Sequence, residues 1–417
     1  MKVLHVIPSV ARHAGGPSQA IIPMCASLIA QGIDVVLATT DDGKVSASEF
    51  RVSSSQSEVN DPHLTPNSKL ETRNYYKGVP TVFFPSQLGA SFKYSRPFAL
   101  WLDEHVSDFD LVHIHAVFNH SSIAAARACR KHKVPYIVRP LGTLDPWSLQ
   151  QKSWRKRLFW YGGIKTMLTR AAAVHYTTRG EQNAVETSLG LNHGAVVPLG
   201  IDMTQLGATS SPDETTIADR FPELRDCPYV LVLSRLHPVK ALEVLLAAFF
   251  SVSKRTDLRE WRLVLAGDGA ADYVASLKRL VVENNATGSV LFSGWLDGAQ
   301  KEAVLSKASL LALPSHHENF GLCVMEAMAC GVPVLLSPQV NLAPEVEAAG
   351  AGWIAAVNID SLAHALTEAL SSDEERKRRG SAGRILAKRF SWPSVATKLT
   401  DLYQSVLQPT TALPIPV

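Results

Sequence analysis

Twice along this chain, short runs of β-branched residues alternate with longer stretches of helical periodicity, and that alternation restricts the fold more than any other feature. The first half reads KVLHVI, a helix over 17–31, IDVVLAT, then DLVHIHAV, a helix over 121–132 and VPYIVRP. The second half reads VLVLS at 230–234, a helix from about 240, RLVLAGDG, a helix from about 272, VLFSGW, LLALPS, a short helix and VPVLLS. Strands followed by helices predict parallel strands joined by right-handed crossovers, so each half is expected to be its own doubly wound α/β sheet. The 417 residues suffice for two such units, at roughly 150 residues per domain. The polar stretch LGATSSPDETT places their boundary near 200–215. A second polar stretch, from Asp41 to about Lys77, holds SSSQSE and is expected to interrupt the first sheet as a long loop. Ligands of open parallel sheets sit beyond the carboxyl ends of the strands, which predicts a ligand between two sheets that face each other.

Hydrophobic residues make up 46% of the chain and charged residues 19%, which supplies two cores and excludes a disordered chain or a coiled coil. A net charge of +3 gives no global electrostatic reason to bind nucleic acid, and no such partner is expected. The cysteines Cys25, Cys129, Cys227, Cys323 and Cys330 are scattered and never spaced as CxxC. Neither a disulfide framework nor a zinc site is expected, and a reducing cytoplasm is the expected setting. The opening MKVLHVIPSVA holds His5 and Pro8 and runs into Gly15 and Gly16, so it reads as a first strand rather than a signal peptide. No apolar stretch reaches the ~18 residues that a spanning helix needs.

Three groups of residues could carry chemistry. Gly15, Gly16 and Pro17 follow the first strand, where glycines let the backbone approach a ligand and Pro17 suits a first helical turn, so free amides face outward and suit phosphate. A plain tight turn would use the same residues. In SRLHPVK, Arg235 and Lys240 flank a strand end and a helix start, where a planar fork and a point charge can converge on one diphosphate. Two solvated surface cations are the alternative. In HHENFGLCVMEAMACGVPVLL, Glu318 ends a strand loop, Phe320 and Gly321 open a helix, and Glu326 lies on it. Two carboxylates eight apart across a helix start can reach one polyhydroxylated ligand, while the amides of Gly321 and Leu322 suit an anion. A glutamate in a half-apolar helix needs partners.

Arg235, Lys240 and the pair Glu318 and Glu326 around NFGLCVM, following two glycines after the first strand, resemble the large family 4 of retaining glycosyltransferases with the GT-B fold. RPLGTLDPW at 139–147, the stretch from Pro198 to Asp202 and the late RFSW extend the resemblance over nearly the whole chain. It implies two doubly wound Rossmann-like domains facing across a cleft, an acceptor domain over 1–203, a nucleotide-sugar domain over 204–390, and a segment over 391–417 whose helix, about Trp392 to Leu407, crosses back to the first domain. It implies a donor that is a UDP- or GDP-linked sugar, a glycan or lipid-linked acceptor, no metal, and a role in cell-surface polysaccharide biosynthesis. The counterparts of Arg235 and Lys240 hold the donor diphosphate, that of Glu318 contacts the sugar and that of Glu326 the ribose. The substrate-binding set on this reading is Gly15, Gly16, Arg139, Phe320, Gly321, Leu322 and Glu326. One departure stands out, since VPLG replaces the family's VPNG and puts Leu199 in place of Asn. A nucleotide-sugar epimerase, a phosphorylase or a silent binding subunit would share the architecture.

His113 and His115 are two apart on a strand and share a face, which can make a metal pair, but the sequence shows no third ligand at suitable spacing. His115, at the strand's carboxyl end where the family often has a His near the sugar, is assigned to the catalytic set, and His113 to structure. Asp108 and Asp110 form a literal DxD that reads as the polar lead into a strand. Gly267, Asp268 and Gly269 lack the third glycine and downstream acid of a dinucleotide fingerprint and read as a turn near the nucleotide base.

Residues 139–170 concentrate the positive charge, with Arg139, Lys152, Arg155, Lys156, Arg157, Lys165 and Arg170 against Asp145 alone, a local charge of +6. Trp147, Trp154, Phe159, Trp160 and Tyr161 are interleaved with them, a pattern that suits a helix lying peripherally on an anionic membrane, at its inner face. Each cation near such a surface contributes about 1 kcal/mol, so replacing Arg155, Lys156 and Arg157 by Gln should weaken partitioning by over ~100-fold. Co-sedimentation with anionic and neutral vesicles checks this, and equal binding by wild type and triple variant would leave the patch a solvated face.

Overall fold

The computed structural model describes residues 1–11, 16–41, 50–52, 74–88, 92–145, 148–149, 159–203, 221–225, 227–296 and 298–408. The chain forms two compact units, Met1–Gly200 with Trp392–Val417, and Ile201–Ser391.

The first unit holds β1 (Lys2–Ile7), β2 (Asp34–Asp41), β3 (Phe50–Val52), β4 (Asn74–Tyr76), β5 (Val79–Pro85), β6 (Leu111–His115), β7 (Tyr136–Arg139), β8 (Ala173–Tyr176) and β9 (Gly194–Val196). They lie in the order β3-β4-β5-β2-β1-β6-β7-β8-β9. The seven strands from β5 to β9 in that order are parallel. β3 and β4 add an antiparallel edge. This corrects the long-loop reading of Asp41 to Lys77, since chain within it returns to the sheet twice; the rest of that stretch lies outside the described residues. β1 and β6 are buried along almost their whole length, as strands covered on both faces must be. Their apolar runs are therefore nearly continuous rather than alternating.

The second unit holds β10 (Tyr229–Leu233), β11 (Arg262–Ala266), β12 (Val290–Gly294), β13 (Leu310–Leu313), β14 (Val334–Leu336) and β15 (Gly352–Ile354). All pairs are parallel, in the order β12-β11-β10-β13-β14-β15. The helix Leu242–Val252 buries Leu242, Leu245, Leu246 and Phe249 in the core of this sheet. Each such side chain contributes about 1.5–3 kcal/mol on burial. Strand order reverses between β1 and β6 in the first sheet and between β10 and β13 in the second, and crossovers there leave to opposite faces.

The last helix, Trp392–Leu407, belongs to the first unit although the whole second unit precedes it. Trp392, Val395, Ala396, Leu399 and Tyr403 are buried at the spacing of one helical face. That helix packs on the helix Gly16–Ala30, and Gln31 Nε2 donates to Pro393 O and to Thr397 Oγ1, both at 3.0 Å. In VPLG, Leu199 is buried, and a Cβ on Gly200 would stand 2.3 Å from the Trp392 indole. Gly200→Ala should therefore overpack this joint and cost about 1–3 kcal/mol. Thermal or urea unfolding checks it, and an unchanged midpoint would show that the indole moves freely aside.

Candidate functional site

In the second unit the charged residues gather at the reversal between β10 and β13. The turn after β10 carries Arg235, exposed, and the 3-10 turn Pro238–Lys240 ends on Lys240, which is buried. His237 lies between them in the chain, and burial, then the charges of Arg235 and Lys240, holds its ring below the ordinary histidine range. The loop after β13 carries Glu318, whose backbone is pinned from both sides: its N–H donates to Gln339 O at 3.2 Å and its carbonyl accepts from Asn341 N at 3.0 Å. Lys240 Nζ forms an ion pair with Glu318 Oε2. Glu326, on the helix Leu322–Ala329, pairs with Lys301 at 2.6 Å.

Gly321 opens that helix in the left-handed region at φ 74°, and a Cβ there would come within 3.2 Å of Val324 and 3.4 Å of Glu318. No side chain caps this helix start. Its amides are therefore those a helix end directs toward an anion. Leu322 is half-buried at the first helical position. Phe320 is buried and packs edge-on against Phe390 with ring centres 6.1 Å apart, so its ring serves the core and a ligand could meet only its backbone.

The GDG turn has a structural task. A Cβ on Gly267 would stand 1.9 Å from Ser234 O, and one on Gly269 would stand 2.0 Å from Leu236 O. These two glycines let the turn lie directly on the segment that holds Arg235, and Leu236 N donates to Asp268 O at 2.8 Å.

In the first unit the reversal lies between β1 and β6. Gly16 is half-buried and begins the helix Gly16–Ala30, while Gly15 lies outside the described residues. Ser18 Oγ donates to Ser9 O at 2.8 Å, tying that helix start to the chain just after β1. His115 ends β6 and Arg139 ends β7 as register partners. Both side chains are buried, at 1% exposure. Arg139 therefore does not belong to a surface patch, and burial, opposed by Glu181, lowers its pKa to about 10. In the basic stretch, Phe159 and Trp160 pack against the core and only Tyr161, 74% exposed, is an open aromatic among the described residues there. Lys152, Arg155, Lys156, Arg157, Trp147 and Trp154 lie outside the described residues. Asp110 of the DxD accepts from Lys2 N at 2.7 Å, a structural use.

Five partners escaped the sequence reading. Lys301 faces Glu326 from another helix and carries no local signal. Glu181 is fully buried, accepting from Gly142 N and Thr177 N, each at 2.8 Å, so it fixes the RPLGTL loop. Its T-x-x-E spacing after Thr178 was a legible helix-start signal. His5, His175 and Tyr403 join His113 and His115 in one buried cluster, where His5 supplies the third ring that the sequence does not place beside HxH.

Two doubly wound units of mainly parallel strands, each with its polar residues at the strand reversal and with the last helix returned to the first unit, define the GT-B fold. Solved structures agree on the fold: Anabaena Alr3699/HepE in complex with UDP and glucose aligns over 97% of this chain and 100% of its own with TM-score 0.73 at 18% identity. A sucrose-phosphate synthase from Thermosynechococcus elongatus aligns over 98% and 100% with TM-score 0.74 at 20% identity. Residues 15–200 match the glycosyl transferase 4-like domain and residues 213–385 the glycosyl transferases group 1. The chain belongs to the family 4-like glycosyltransferases. It is 32% identical over 178 residues to the O-antigen chain mannosyltransferase B of Escherichia coli, which is 42% of this chain and 45% of that one. To the GDP-mannose:cellobiosyl-diphosphopolyprenol alpha-mannosyltransferase of Xanthomonas oryzae pv. oryzae it is 24% identical over 98% of this chain and 97% of that one. The chain spans about half the length of the first relatives it matches.

Cys323 reports on the second-unit site, because Glu318, Lys240, Glu326 and Lys301 all act on it. Burial first, then Glu318, pushes its thiol up to about 12. Near neutral pH the thiol stays protonated, and alkylation should be slow and rise only in strong alkali. Glu318→Gln removes an opposing charge and should speed alkylation, as read by mass spectrometry. Equal rates in wild type and variant would contradict this arrangement of charges.

Proposed function

We propose that the protein transfers a hexose from a UDP- or GDP-linked sugar to a hydroxyl of a glycan or lipid-linked glycan in cell-surface polysaccharide biosynthesis, with retention at the anomeric carbon. The observation that carries this reading is the set at the β10/β13 reversal: Arg235 and Lys240 on the turn after β10, Lys240 paired with Glu318, and the uncapped helix start at Gly321. The donor would lie there. As the bond from the anomeric carbon to the phosphate oxygen breaks, negative charge grows on the departing diphosphate, and fixed cations and helix amides aimed at it lower the barrier. Lys240 would then exchange part of its contact with Glu318 for phosphate, leaving the carboxylate to accept from sugar hydroxyls, while Glu326, oriented by Lys301, accepts from the ribose.

For retention, the acceptor hydroxyl attacks from the face the phosphate leaves, its oxygen bonds to the anomeric carbon, and its proton passes to the leaving phosphate. The commitment of Glu318 to Lys240 supports this over a glutamate nucleophile. No metal is needed when these cations neutralise the diphosphate. The acceptor would meet the first unit at His115 and Arg139. The names of the Escherichia coli and Xanthomonas relatives support mannose and a diphospholipid-linked acceptor, and the Anabaena structure supports UDP and glucose. These names are those of transferases, which goes against an epimerase, a phosphorylase or a silent subunit. Among the described residues no helix is long and apolar enough to cross a membrane. We extend the reading to a cytoplasmic protein that touches the inner face of the membrane through its basic stretch.

Arg235→Ala and Lys240→Ala should each lower turnover by about 100-fold or more, because each removes charge from the leaving group. Turnover of a labelled nucleotide sugar tests this, and near-wild-type rates in both variants would overturn the assignment.

A further inference from the structure

Four histidine rings and one phenol in the first unit form a single hydrogen-bonded chain, and one backbone carbonyl sets its direction. Val197 O can only accept, so His175 Nε2, 2.7 Å away, carries a proton. A neutral His175 then presents a lone pair at Nδ1, to which His113 Nε2 donates at 3.1 Å. His113 Nδ1 is thereby an acceptor, and Tyr403 Oη donates to it at 2.8 Å. The Tyr403 oxygen accepts from His5 Nε2 at 3.4 Å, which leaves His5 Nδ1 to accept from His115 Nε2 at 3.0 Å. The rings are neutral: burial holds His113 and His115 well below the usual histidine range and takes His5 and His175 to about 3, with Arg139 adding to the effect. The chain ends at His115 Nδ1, a bare lone pair that is buried without a partner.

The neighbouring strand supplies the opposite deficit. Arg139, the register partner of His115, has Nε and Nη2 buried without acceptors. A lone pair lacking a donor and donors lacking an acceptor thus sit on paired residues of adjacent strands, and leaving such groups unsatisfied costs about 1–3 kcal/mol each. A hydroxyl satisfies both, because its proton goes to the ring and its oxygen accepts from the guanidinium. An anion would serve Arg139 but turn its charge toward a lone pair. A metal ion could draw on His5, His113 and His115, whose nitrogens lie within 4.8 Å of one another. It would have to break the bonds of the chain and sit beside a buried guanidinium. Proton conduction is also disfavoured, since Val197 O cannot take the proton and His175 would end as a buried cation.

We propose that the histidine–tyrosine chain locks His115 as a hydrogen-bond acceptor, with Tyr403 as a positioning residue whose phenol fixes the direction of the bonds from His113 to His115. The lock does not rest on the transferase reading.

Long-range proton–nitrogen NMR on the full chain, ¹⁵N-labelled in its histidine rings, reads the tautomers directly, with His115→Asn used for assignment. The wild type should show His115 protonated at Nε2 and bare at Nδ1. Tyr403→Phe lets His5 reverse, so the His115 Nδ1 resonance should move toward the protonated range. A wild-type His115 protonated at Nδ1, or a tautomer unchanged in a folded Tyr403→Phe, overturns the proposal. The wild-type spectrum decides the lock even if the variant does not fold. Absence of any sugar transfer would refute the transferase reading while leaving these spectra to stand or fall alone.

Discussion

In a parallel sheet, neighbouring strands whose crossovers leave to opposite faces must open a gap between their carboxyl ends, and both units of this protein are organised around such a gap. At β10 and β13 the gap separates the turn bearing Arg235 and Lys240 from the loop bearing Glu318. At β1 and β6 it separates the start of the helix Gly16–Ala30 from His115. Backbone bonds hold these loops before any ligand arrives. Pre-organisation of this kind lets charge act on a transition state without reorganising at that moment.

The two gaps are chemically different. In the second unit Lys240 and Glu326 are paired with Glu318 and Lys301 and only partly buried, so a diphosphate bound as proposed would compete for Lys240 at modest cost. In the first unit the polar groups are almost fully buried, and mutual hydrogen bonds of neutral rings replace ion pairs. Burial of neutral, satisfied groups costs little, whereas a buried charge costs several kcal/mol unless compensated. Arg139 is the exception, with Glu181 nearby but bonded to backbone amides. Unsatisfied atoms in such a place are where a ligand's polar groups add the most.

Much of this was legible in the sequence because it is local. Strand runs followed by helical periods gave both sheets, and the glycines and charges that follow strands marked the loops at their carboxyl ends. The last helix runs over Trp392–Leu407, the span expected from the resemblance. What the sequence hid is long-range. Nothing near Tyr403 says that it meets His113, 290 positions away, and nothing near Glu326 points to Lys301. The aromatic stretch is ambiguous in sequence for a related reason, because interleaved cations and rings look amphipathic whether the rings face a lipid or, as Phe159 and Trp160 do, the core. GDG was legible as a turn, but only the packing of Gly267 and Gly269 on the Ser234 to Leu236 backbone shows what that turn supports.

The central claim is that the second unit binds a nucleoside diphosphate through the cations at its strand reversal. Thermal unfolding of wild type, Arg235→Ala and Lys240→Ala with UDP, GDP or ADP tests it most directly. A ligand at 100 times its dissociation constant adds about 2.7 kcal/mol to stability. One of the three nucleotides should raise the wild-type midpoint accordingly and raise those of both variants much less at the same concentration. No stabilisation of the wild type by any of them, or equal stabilisation of all three proteins, would contradict the account.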